Sequence, residues 1–515
     1  MTSADKTKWG KVALVGAGPG DPGLLTLRGK ALLQTADTVV YDYLANPALL
    51  DFTKAEAERI YVGKKRGASN IAHQEKINEI LIQSAKAGKS VVRLKGGDPF
   101  IFGRGGEEIE ALAAEAIPFE VVPGVTSAIG VPAYAGIPLT HRKMASSVTL
   151  VTGHEDPEKG GSHLDWAKLA TGSDTLVLLM AMGNLSAIVH QLVHHGRPED
   201  SPVALIAWGT YARQQTVCGT LKNIEALRAE KNLKPPVVMV VGDVVSLRST
   251  LNWFENLPLF GKRIVVTRAA AQAQDFVRQL SEQGAEPLVF PTLEIVPPPA
   301  WDALDAAIGQ IESYDTLIFT SVNGVAFFRR RLRELRKDLR LLKGIFICAI
   351  GPGTAKALED WDLRVDLIPD EFKAEGLLEK LAARGVPGRR FLIPRALEAR
   401  EILPDELRRL GGTVDVVPAY QAVRPVYSDA DIAGFLGRGP IDVLTFASAS
   451  TLHHFVEIIG QERFSKHLKT SAVAVIGPIT AAAAKDQGLE VDIIPKSYTF
   501  SSITEAIMDY YQTKR

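Results

Sequence analysis

The sequence predicts an α/β protein with mainly parallel sheets, organised as two halves that each contain two lobes. Two observations lead to this prediction. Residues 11–250 alternate short β-branched runs with helical stretches, which is typical of parallel strands joined by helices. Residues 261–508 contain an internal repeat whose period is too long for a solenoid, and this indicates two similar α/β lobes.

The first half, residues 1–256, changes its pattern near residue 140. Before that point the expected elements are well separated, with strands at 11–15, 38–41, 91–94 and 119–122 and a helix at about 24–34. Beyond it the strands follow one another more closely, at 148–152, 175–180, 202–208, 214–218 and 236–241. We therefore expect one lobe at about 11–143 and a second lobe, with some antiparallel pairing, at about 144–250.

The second half, residues 257–515, repeats itself. Three segments recur in the same order, shifted by 127 (388 − 261) or 126 (476 − 350) positions: 261–268 (GKRIVVTR) with 388–395 (GRRFLIPR), 314–321 (YDTLIFTS) with 441–448 (IDVLTFAS), and 350–355 (IGPGTA) with 476–481 (IGPITA). We expect one lobe from each repeat, at about 261–387 and 388–510. Ligands of parallel sheets bind at the carboxyl ends of the strands, so two facing lobes would enclose a binding cleft.

The charge balance argues against a large anionic partner. Lys and Arg together number 59, the same as Asp and Glu, so net charge gives no support for binding nucleic acid or an anionic membrane. No apolar run approaches the roughly 18–20 residues of a membrane span, and the polar N-terminus does not resemble a signal peptide. We expect a cytoplasmic protein. The histidines and cysteines lack metal-ligand spacing, so no metal site is expected.

The loop at 16–23 (GAGPGDPG) resembles a dinucleotide-binding turn. It follows a strand, opens a helix and has Asp42 about 20 residues further on. Yet the sixth position, which should be glycine, is Asp21, and Pro19 and Pro22 remove two backbone N–H groups from the turn. A dehydrogenase fused to a two-lobed sensor is therefore the weaker alternative, and we expect no NAD site.

The same loop, with several later stretches, resembles the uroporphyrinogen III C-methyltransferases of the tetrapyrrole methylase family. The matching stretches cover about residues 11–255: 16–23, 40–42 (VYD), 61–64 (YVGK), 92–107 (VRLKGGDPFIFGRGGE), 122–127 (VPGVTS), 136–142 (GIPLTHR) and 151–154 (VTGH). The resemblance implies an S-adenosylmethionine (SAM) site between the two lobes and a homodimer formed through this half. The implied SAM-binding residues are Pro19, Gly96, Gly97, Asp98, Ile101, Thr126, Ser127, Met180 and Gly209.

The resemblance also implies a proton-handling pair, Asp42 and Lys64. Methylation of a pyrrole carbon must be followed by loss of a ring proton, for which a carboxylate is a suitable base. The loop after Gly63 is about one residue longer than is usual in the family, so Lys65 is a second candidate for the lysine role. Because the substrate carries eight carboxylates, arginines are expected as its anchors. The candidates are Arg28, Arg93, Arg104 and Arg142, with Lys143 beside them.

Residues 261–510 resemble uroporphyrinogen III synthase, which closes hydroxymethylbilane into a ring without a metal or organic cofactor. The matching segments are 266–268, 290–291, 319–324, 349–354, 417–420, 446–450 and 476–480. Tyr420 is the candidate acid, and the expected cleft residues are Arg268, Thr320, Ser321, Asn323, Thr354, Ser448, Ser450 and Thr480. Each Ser or Thr is alternatively a helix cap.

Together the two halves predict an enzyme that makes uroporphyrinogen III and methylates it twice, to precorrin-2. The open alternative is a methyltransferase fused to a non-catalytic tetrapyrrole-binding module.

Overall fold

A computed structural model describes residues 9–63, 70–153, 164–398, 402–437 and 439–513 of the chain. The chain divides into two compact units, and each is described by itself. The first unit contains the chain up to Lys262, together with Leu280–Glu286 and the last residues from Tyr511 onward. The second contains Arg263–Gln279 and Pro287–Tyr510.

The first lobe of the first unit is a parallel five-stranded sheet with helices between the strands. Its elements are β1 (Val12–Gly16), α1 (Leu27–Thr35), β2 (Thr38–Tyr41), β3 (Glu58–Tyr61), α2 (Asn70–Lys86), β4 (Val91–Lys95), α3 (Gly105–Ala114), β5 (Phe119–Val122) and α4 (Ser127–Tyr134). The strand order is β3-β2-β4-β1-β5, and every pair is parallel. The carboxyl ends of the strands therefore share one edge of the sheet, as predicted.

The first helix begins three residues later than the sequence predicts. Asp21 instead caps a short 3-10 turn at Pro22–Leu24, and its side chain accepts a hydrogen bond from the Gly23 N–H. Thr26 then caps α1 by accepting from the Gly29 N–H at 3.0 Å. Asp21 thus caps the short turn and Thr26 caps the helix, and this succession of two caps moves the helix start to Leu27.

The second lobe of the first unit has a mixed sheet. Its elements are β6 (Val148–Thr152), α5 (Trp166–Thr171), β7 (Thr175–Leu179), α6 (Leu185–His194), β8 (Pro202–Ala207), β9 (Gln215–Thr220), α7 (Ile224–Glu230), β10 (Val237–Val241) and α8 (Arg248–Leu251). The order is β6-β7-β10-β8-β9. Only the β6–β7 pair of this described sheet is parallel, and the other three pairs are antiparallel. The expectation of some antiparallel pairing is confirmed.

The second half of the chain forms two further sheets. Its elements are β11 (Arg263–Val266), α9 (Ala270–Glu282), β12 (Glu286–Val289), β13 (Glu294–Val296), α10 (Asp302–Gly309), β14 (Thr316–Phe319), α11 (Val322–Glu334), β15 (Phe346–Ala349), α12 (Pro352–Glu359), α13 (Ala374–Arg384), β16 (Arg390–Ala396), α14 (Ile402–Arg409), β17 (Thr413–Val423), α15 (Asp429–Leu436), β18 (Val443–Phe446), α16 (Ala449–Ile459), α17 (Gln461–His467), β19 (Ala472–Val475), α18 (Pro478–Asp486) and α19 (Phe500–Gln512). The sheet orders are β12-β11-β18-β19 and β13-β17-β16-β14-β15.

These orders correct the expected lobe boundaries, because the repeats exchange strands. Strand β11, from the first repeat, pairs in parallel with β18 of the second, and β14 of the first pairs with β16 of the second. Each lobe therefore combines one segment from each repeat, instead of being one repeat at 261–387 or 388–510. The exchange is possible because the repeats present equivalent strands, so either partner completes the same parallel sheet.

The chain crosses between these two lobes twice, and the crossings lie side by side. Strand β13 of the first crossing pairs antiparallel with the end of β17, which leads into the second. Phe290 and Tyr427 stack with ring centroids 4.4 Å apart, and the Tyr427 hydroxyl donates to the Pro291 carbonyl at 2.9 Å. The two crossings thus form one two-stranded connection.

Candidate active sites

Three loops meet through glycines at the carboxyl edge of the first sheet. A Cβ on Gly16 would lie 2.5 Å from Gly124 Cα, and one on Gly124 would lie 2.3 Å from the Gly97 carbonyl oxygen. Gly97 has a φ of +67°, and its N–H donates to the Gly18 carbonyl at 2.8 Å. Side chains are therefore sterically excluded where the loops after β1, β4 and β5 converge, and the three loops pack main chain against main chain.

Asp98 ties two of these loops together. Its Oδ1 accepts from the N–H groups of Phe100 at 2.8 Å and Ile101 at 3.1 Å, and its Oδ2 accepts from the Gly124 N–H at 3.0 Å. Within the protein, then, this carboxylate organises the loop that follows β4. A direct contact with SAM, which the resemblance implies, stays a prediction.

The loop at 16–23 packs against a loop of the second lobe. The Asp21 N–H donates to Thr210 Oγ1 at 2.9 Å, and the Tyr134 hydroxyl donates to Asp21 Oδ2 at 2.6 Å. Burial, followed by this hydrogen bond, raises the pKa of Tyr134. A Cβ on Gly20 would lie 2.2 Å from the ring of Tyr211. Asp21, which breaks the dinucleotide pattern, therefore has a structural task in joining the two lobes.

Strained backbone marks the loops around this cleft. Left-handed φ values occur in the loop after β4, at Met180 after β7, and after β8; the residues are Phe102 (53°), Arg104 (56°), Met180 (57°), Trp208 (49°) and Thr210 (69°). Non-glycine residues in this region cost about 1–3 kcal/mol each and cluster at functional sites. Strain thus coincides with the predicted cofactor site.

The remaining predicted SAM residues lie on the same loops. Gly96 is packed against Leu44, and Pro19 lies against Gly130 of α4. Thr126 caps α4 and Ser127 is its first residue. Ile101 and Met180 are 39% and 49% exposed, so apolar surface is available to a ligand there. Gly209 has a packing role, since a Cβ would lie 2.3 Å from Val131 Cγ1.

Asp42 lies above a buried cluster of charges. Its Oδ2 accepts from Arg93 Nη2 at 3.0 Å and its Oδ1 from the Leu44 N–H at 3.1 Å. Beneath it, Glu108 Oε1 accepts from Arg93 Nε at 3.3 Å and Lys95 Nζ at 2.8 Å. Burial, and next the neighbouring Arg93 charge, lower the pKa of Lys95. Lys64 and Lys65 lie outside the described residues.

The expectation that Arg93 anchors substrate is wrong. Its side chain is 4% exposed and is occupied by Asp42 and Glu108. Arg28 is exposed but forms an ion pair with Glu120 at 3.0 Å, and Arg104 pairs with Glu107 at 2.6 Å. Arg142 and Lys143 are exposed, with no ion pair to any described residue. Of the four predicted arginines, Arg142 is thus the most available to a carboxylate.

In the second unit, Tyr420 and Ser321 come together. The Tyr420 hydroxyl lies 3.0 Å from Ser321 Oγ, which also accepts from the Gly324 N–H at 3.0 Å. A register shift in the β16–β17 ladder places Tyr420 at a bulge, a feature that redirects side chains near active sites. Tyr420 is 8% exposed, so only a small part of it faces solvent.

A polar chain links the two lobes of this unit at their carboxyl edges. Arg268 Nε donates to Gln272 Oε1 at 3.1 Å, and Gln272 Nε2 donates to Asn323 Oδ1 at 2.8 Å. Arg268 also stacks over Phe500, and burial lowers its pKa. Gln272, which was not predicted as a site residue, therefore joins the two predicted cleft residues Arg268 and Asn323.

The predicted serines lie at helix starts, whereas two of the predicted threonines are buried in the first turns of helices. Ser321 and Ser448 cap α11 and α16, which confirms the helix-cap alternative for both, and Ser450 Oγ lies 3.1 Å from Ser448 Oγ. Thr354 and Thr480 are the third residues of α12 and α18 and are only 5% and 4% exposed. Little of either side chain is open to a ligand, and their place in the cleft stays a prediction. Thr320 is half-buried beside Ser321.

Three residues that organise these sites were not predicted: Gly124, Glu108 and Gln272. Gly124 stands in the quoted stretch 122–127, so its motif was the available signal. Glu108 follows directly on the stretch 92–107, whereas nothing in the sequence marks Gln272. The described residues contain no group of three or more His, Cys, Asp or Glu suited to a metal ion. Each helix in the described part of the chain is too short or too polar to span a bilayer.

Two family models match the chain, one in each half. The model for tetrapyrrole (corrin/porphyrin) methylases matches residues 11–225, and the model for uroporphyrinogen-III synthase HemD matches residues 274–505. The first match covers every quoted stretch of the first half, and the second covers every quoted stretch of the second half except 266–268.

Three known proteins show the extent of the similarity. The porphyrin biosynthesis protein HemD of Ruminiclostridium josui is 37% identical over 500 residues, covering 97% of this chain and 98% of that protein. An S-adenosyl-L-methionine-dependent uroporphyrinogen III methyltransferase of Methanosarcina barkeri is 55% identical over 243 residues, covering 47% of this chain and 95% of that protein. The crystal structure of uroporphyrin III C-methyl transferase from Thermus thermophilus is 39% identical, covers 46% of this chain and 100% of that one, and has a TM-score of 0.40.

Proposed function

The chain belongs to the family of tetrapyrrole methylases fused to uroporphyrinogen-III synthase, and from this we propose that its two halves catalyse consecutive reactions. The second half closes hydroxymethylbilane to uroporphyrinogen III, and the first half methylates that product twice to precorrin-2. The observation that carries the proposal is the family match in each half, with a relative similar over 97% of the chain.

The first lobe's carboxyl edge fits SAM. Glycines let the three loops converge, Gly96 is only partly buried, and Ile101 and Met180 supply exposed apolar surface. We propose that the site comprises Pro19, Gly96, Gly97, Asp98, Ile101, Thr126, Ser127, Met180 and Gly209. When bound, SAM supplies an electrophilic methyl group on its sulfonium sulfur. The protein's part is to hold that group in line with a pyrrole carbon, because orientation removes much of the entropic barrier.

Asp42 is the proposed base for the ring proton. Its carboxylate lies at the end of β2 and is 22% exposed, so a substrate above the sheet edge can reach it. Arg93 and the Leu44 N–H orient the carboxylate from below. Lys64 is the proposed second member of the pair, and Arg28, Arg104 and Arg142 remain proposed contacts for substrate carboxylates.

Ring closure in the second half depends mainly on positioning. The substrate must be held folded while the Tyr420 hydroxyl, supported by Ser321, helps hydroxide to leave. Arg268 and Asn323 lie where the carboxyl edges of the two lobes meet, and both are proposed substrate contacts. Ser448 and Ser450, at the start of α16, are proposed contacts as well. We propose that neither half uses a metal or NAD.

We also propose a cytoplasmic homodimer, joined through the first half, that acts on small tetrapyrroles and binds neither nucleic acid nor membranes. The equal numbers of basic and acidic residues, 59 of each, support the absence of a polyanionic partner.

The proposed domain boundary lies between residues 256 and 257. Within residues 1–256, Glu255 Oε1 accepts hydrogen bonds from Gln214 Nε2 at 2.8 Å and from Thr216 Oγ1 at 2.6 Å. The Leu259 N–H donates to the Gln283 carbonyl at 2.9 Å, within residues 257–515. A cut at this point keeps both sets of contacts. It divides the first compact unit, however, because it separates residues 257–262 and 280–286 from those before them, including the rings of Phe260 and Phe254.

One assay tests the proposed function. The full chain is incubated with hydroxymethylbilane and methyl-labelled SAM, and the product isomers are separated. We expect isomer III with two labelled methyl groups. Isomer I alone would refute the synthase assignment and favour the tetrapyrrole-binding alternative, whereas unlabelled isomer III would refute the methyltransferase assignment.

A further inference from the structure

Two exposed aromatic residues occupy equivalent positions in the two lobes of the second unit. Phe372 is 59% exposed and Tyr498 is 65% exposed. They are 126 positions apart (498 − 372), the shift that relates 350–355 to 476–481. Each lies five residues after an isolated parallel bridge, formed by Leu367 in one lobe and Ile493 in the other. The repeat therefore extends to a fourth segment, which ends in an exposed ring.

Each ring lies over a glycine at the start of a helix. A Cβ on Gly351, the N-cap of α12, would lie 3.3 Å from Phe372 Cβ. A Cβ on Gly477, the N-cap of α18, would lie 3.0 Å from Tyr498 Cδ1. Both glycines have extended backbone, with φ of −170° and −177°, so conformation does not require them. The close approach of the ring is the feature that both lobes retain.

One more pair of residues makes the exposed surface apolar in both lobes. Ile368 and Ile494 are also 126 positions apart (494 − 368), and they are 38% and 51% exposed. A large apolar side chain left open to water forgoes the stabilisation that burial would give it. Exposed apolar residues at matching places in both lobes therefore indicate a shared ligand contact.

These segments follow β15 and β19 and thus lie at the carboxyl edges of the two sheets. The Gln272–Asn323 hydrogen bond brings carboxyl-edge residues of the two lobes into contact. If a ligand with several flat aromatic rings binds at this edge, one exposed aromatic side chain from each lobe can contact it. Hydroxymethylbilane, with its four linked pyrroles, has that chemistry.

We infer that Phe372 and Tyr498 contact pyrrole rings of hydroxymethylbilane, one from each lobe, and so hold the flexible chain in the folded form that closes to isomer III. The inference rests on the proposed synthase function. It assigns the pair a role in binding and positioning, while proton transfer remains with Tyr420. Aromatic contacts of this kind contribute enough for roughly a 2- to 12-fold change in affinity each.

The test uses the full chain and the single variants Phe372→Ala and Tyr498→Ala. Each should raise KM for hydroxymethylbilane roughly 2- to 12-fold, with a smaller change in kcat and a larger share of isomer I, because poorly held substrate cyclises unaided. Tyr498→Phe keeps the ring and should behave as the parent. Val426→Ala is the control, because it removes another exposed apolar side chain (97% exposed). It should leave KM and the share of isomer I unchanged.

Leucine variants separate binding from helix packing. Phe372→Leu and Tyr498→Leu keep apolar cover over Gly351 and Gly477 but lack an aromatic face, so they should also raise KM. Parent-like KM and isomer ratio in both alanine variants would overturn the inference, as would a lowered Tm and kcat with KM unchanged. A parent chain that makes no isomer III would instead refute the synthase function itself, before any variant is measured.

Discussion

Replacing Asp98 tests whether the loop after β4 forms the SAM site. The carboxylate accepts three backbone hydrogen bonds, two within its own loop and one from Gly124 of the loop after β5. Asp98→Ala leaves all three N–H groups without this acceptor, so the loop loses its side-chain hydrogen bond to Gly124. We expect the fold to persist, because the glycine contacts between Gly16, Gly97 and Gly124 remain.

The size of the effect follows from the hydrogen bonds. A hydrogen bond to a charged group contributes about 1.5–3 kcal/mol. In Asp98→Ala, SAM binding must order a loop that lacks these bonds. If this costs the free energy of one such bond, the affinity for SAM falls by about 10- to 150-fold. Asp98→Asn is the matched control. Its amide oxygen can still accept from Phe100 and Ile101, but its NH₂ group faces the Gly124 N–H, so we expect an intermediate loss of about tenfold.

Isothermal titration of the full chain with SAM measures both variants. Asp42→Asn should bind SAM like the parent and fail in turnover, because its amide keeps the contact with Arg93 but cannot take up a proton. If Asp98→Ala bound SAM with the parent's affinity, the assignment of this loop to the cofactor would be wrong. If Asp42→Asn lost SAM binding as well, the separation of roles would be wrong.

Three further predictions follow from the same contacts. Tyr420→Phe should slow ring closure by about 100-fold, the low end of the 10²–10⁴-fold that a positioned acid contributes, and should release isomer I; isomer III at the parent rate would remove Tyr420 from the mechanism. The pure protein, given hydroxymethylbilane, SAM, NAD and ferrous iron without oxygen, should stop at precorrin-2, because the loop at 16–23 fails as a dinucleotide site at Asp21; a sirohaem spectrum, or NAD reduction dependent on tetrapyrrole, would contradict this. Hydrogen bonds led by the Ser90 N–H lower the pKa of Asp37 from 3.8 to about 2. A depressed carboxyl pKa stabilises the folded state above the unfolded value, so the stability difference between the parent and Asp37→Asn should be constant above about pH 5 and shrink as pH falls toward 2; thermal unfolding at several pH values measures it, and a difference that grows on acidification would refute the assignment.

Local patterns were sufficient to predict the kinds of element in the first half, and that its first sheet is parallel and its second partly antiparallel. The alternation of strands and helices predicted the parallel first sheet, and closer strand spacing predicted the mixed second sheet. Both signals depend on neighbouring residues, which is why they can be read without the fold. The helix start was misplaced by three residues because Asp21 and Thr26 are both capping residues, and only the structure shows which turn each of them caps.

Burial of charge could not be read in the same way. Arg93 was expected to anchor substrate, yet β4, which carries Arg93 and Lys95, lies between β2 and β1 and all five of its residues are buried. A charged residue in a central strand must find an internal partner, and Glu108 of α3 provides it from 13 to 15 positions away. The sequence shows the charges but not which strand is central.

By itself, the sequence determined the α/β class, the family of each half, the glycine loops and the existence of a repeat, because contiguous motifs and local periodicity carry that information. The tertiary structure alone decided that the repeats exchange strands, that Arg93 supports Asp42, and that Gln272 joins Arg268 to Asn323. These outcomes depend on which distant segments pair. Two equivalent repeats offer nearly identical partners, so the choice between them follows from the packing of the whole chain and leaves no local signature.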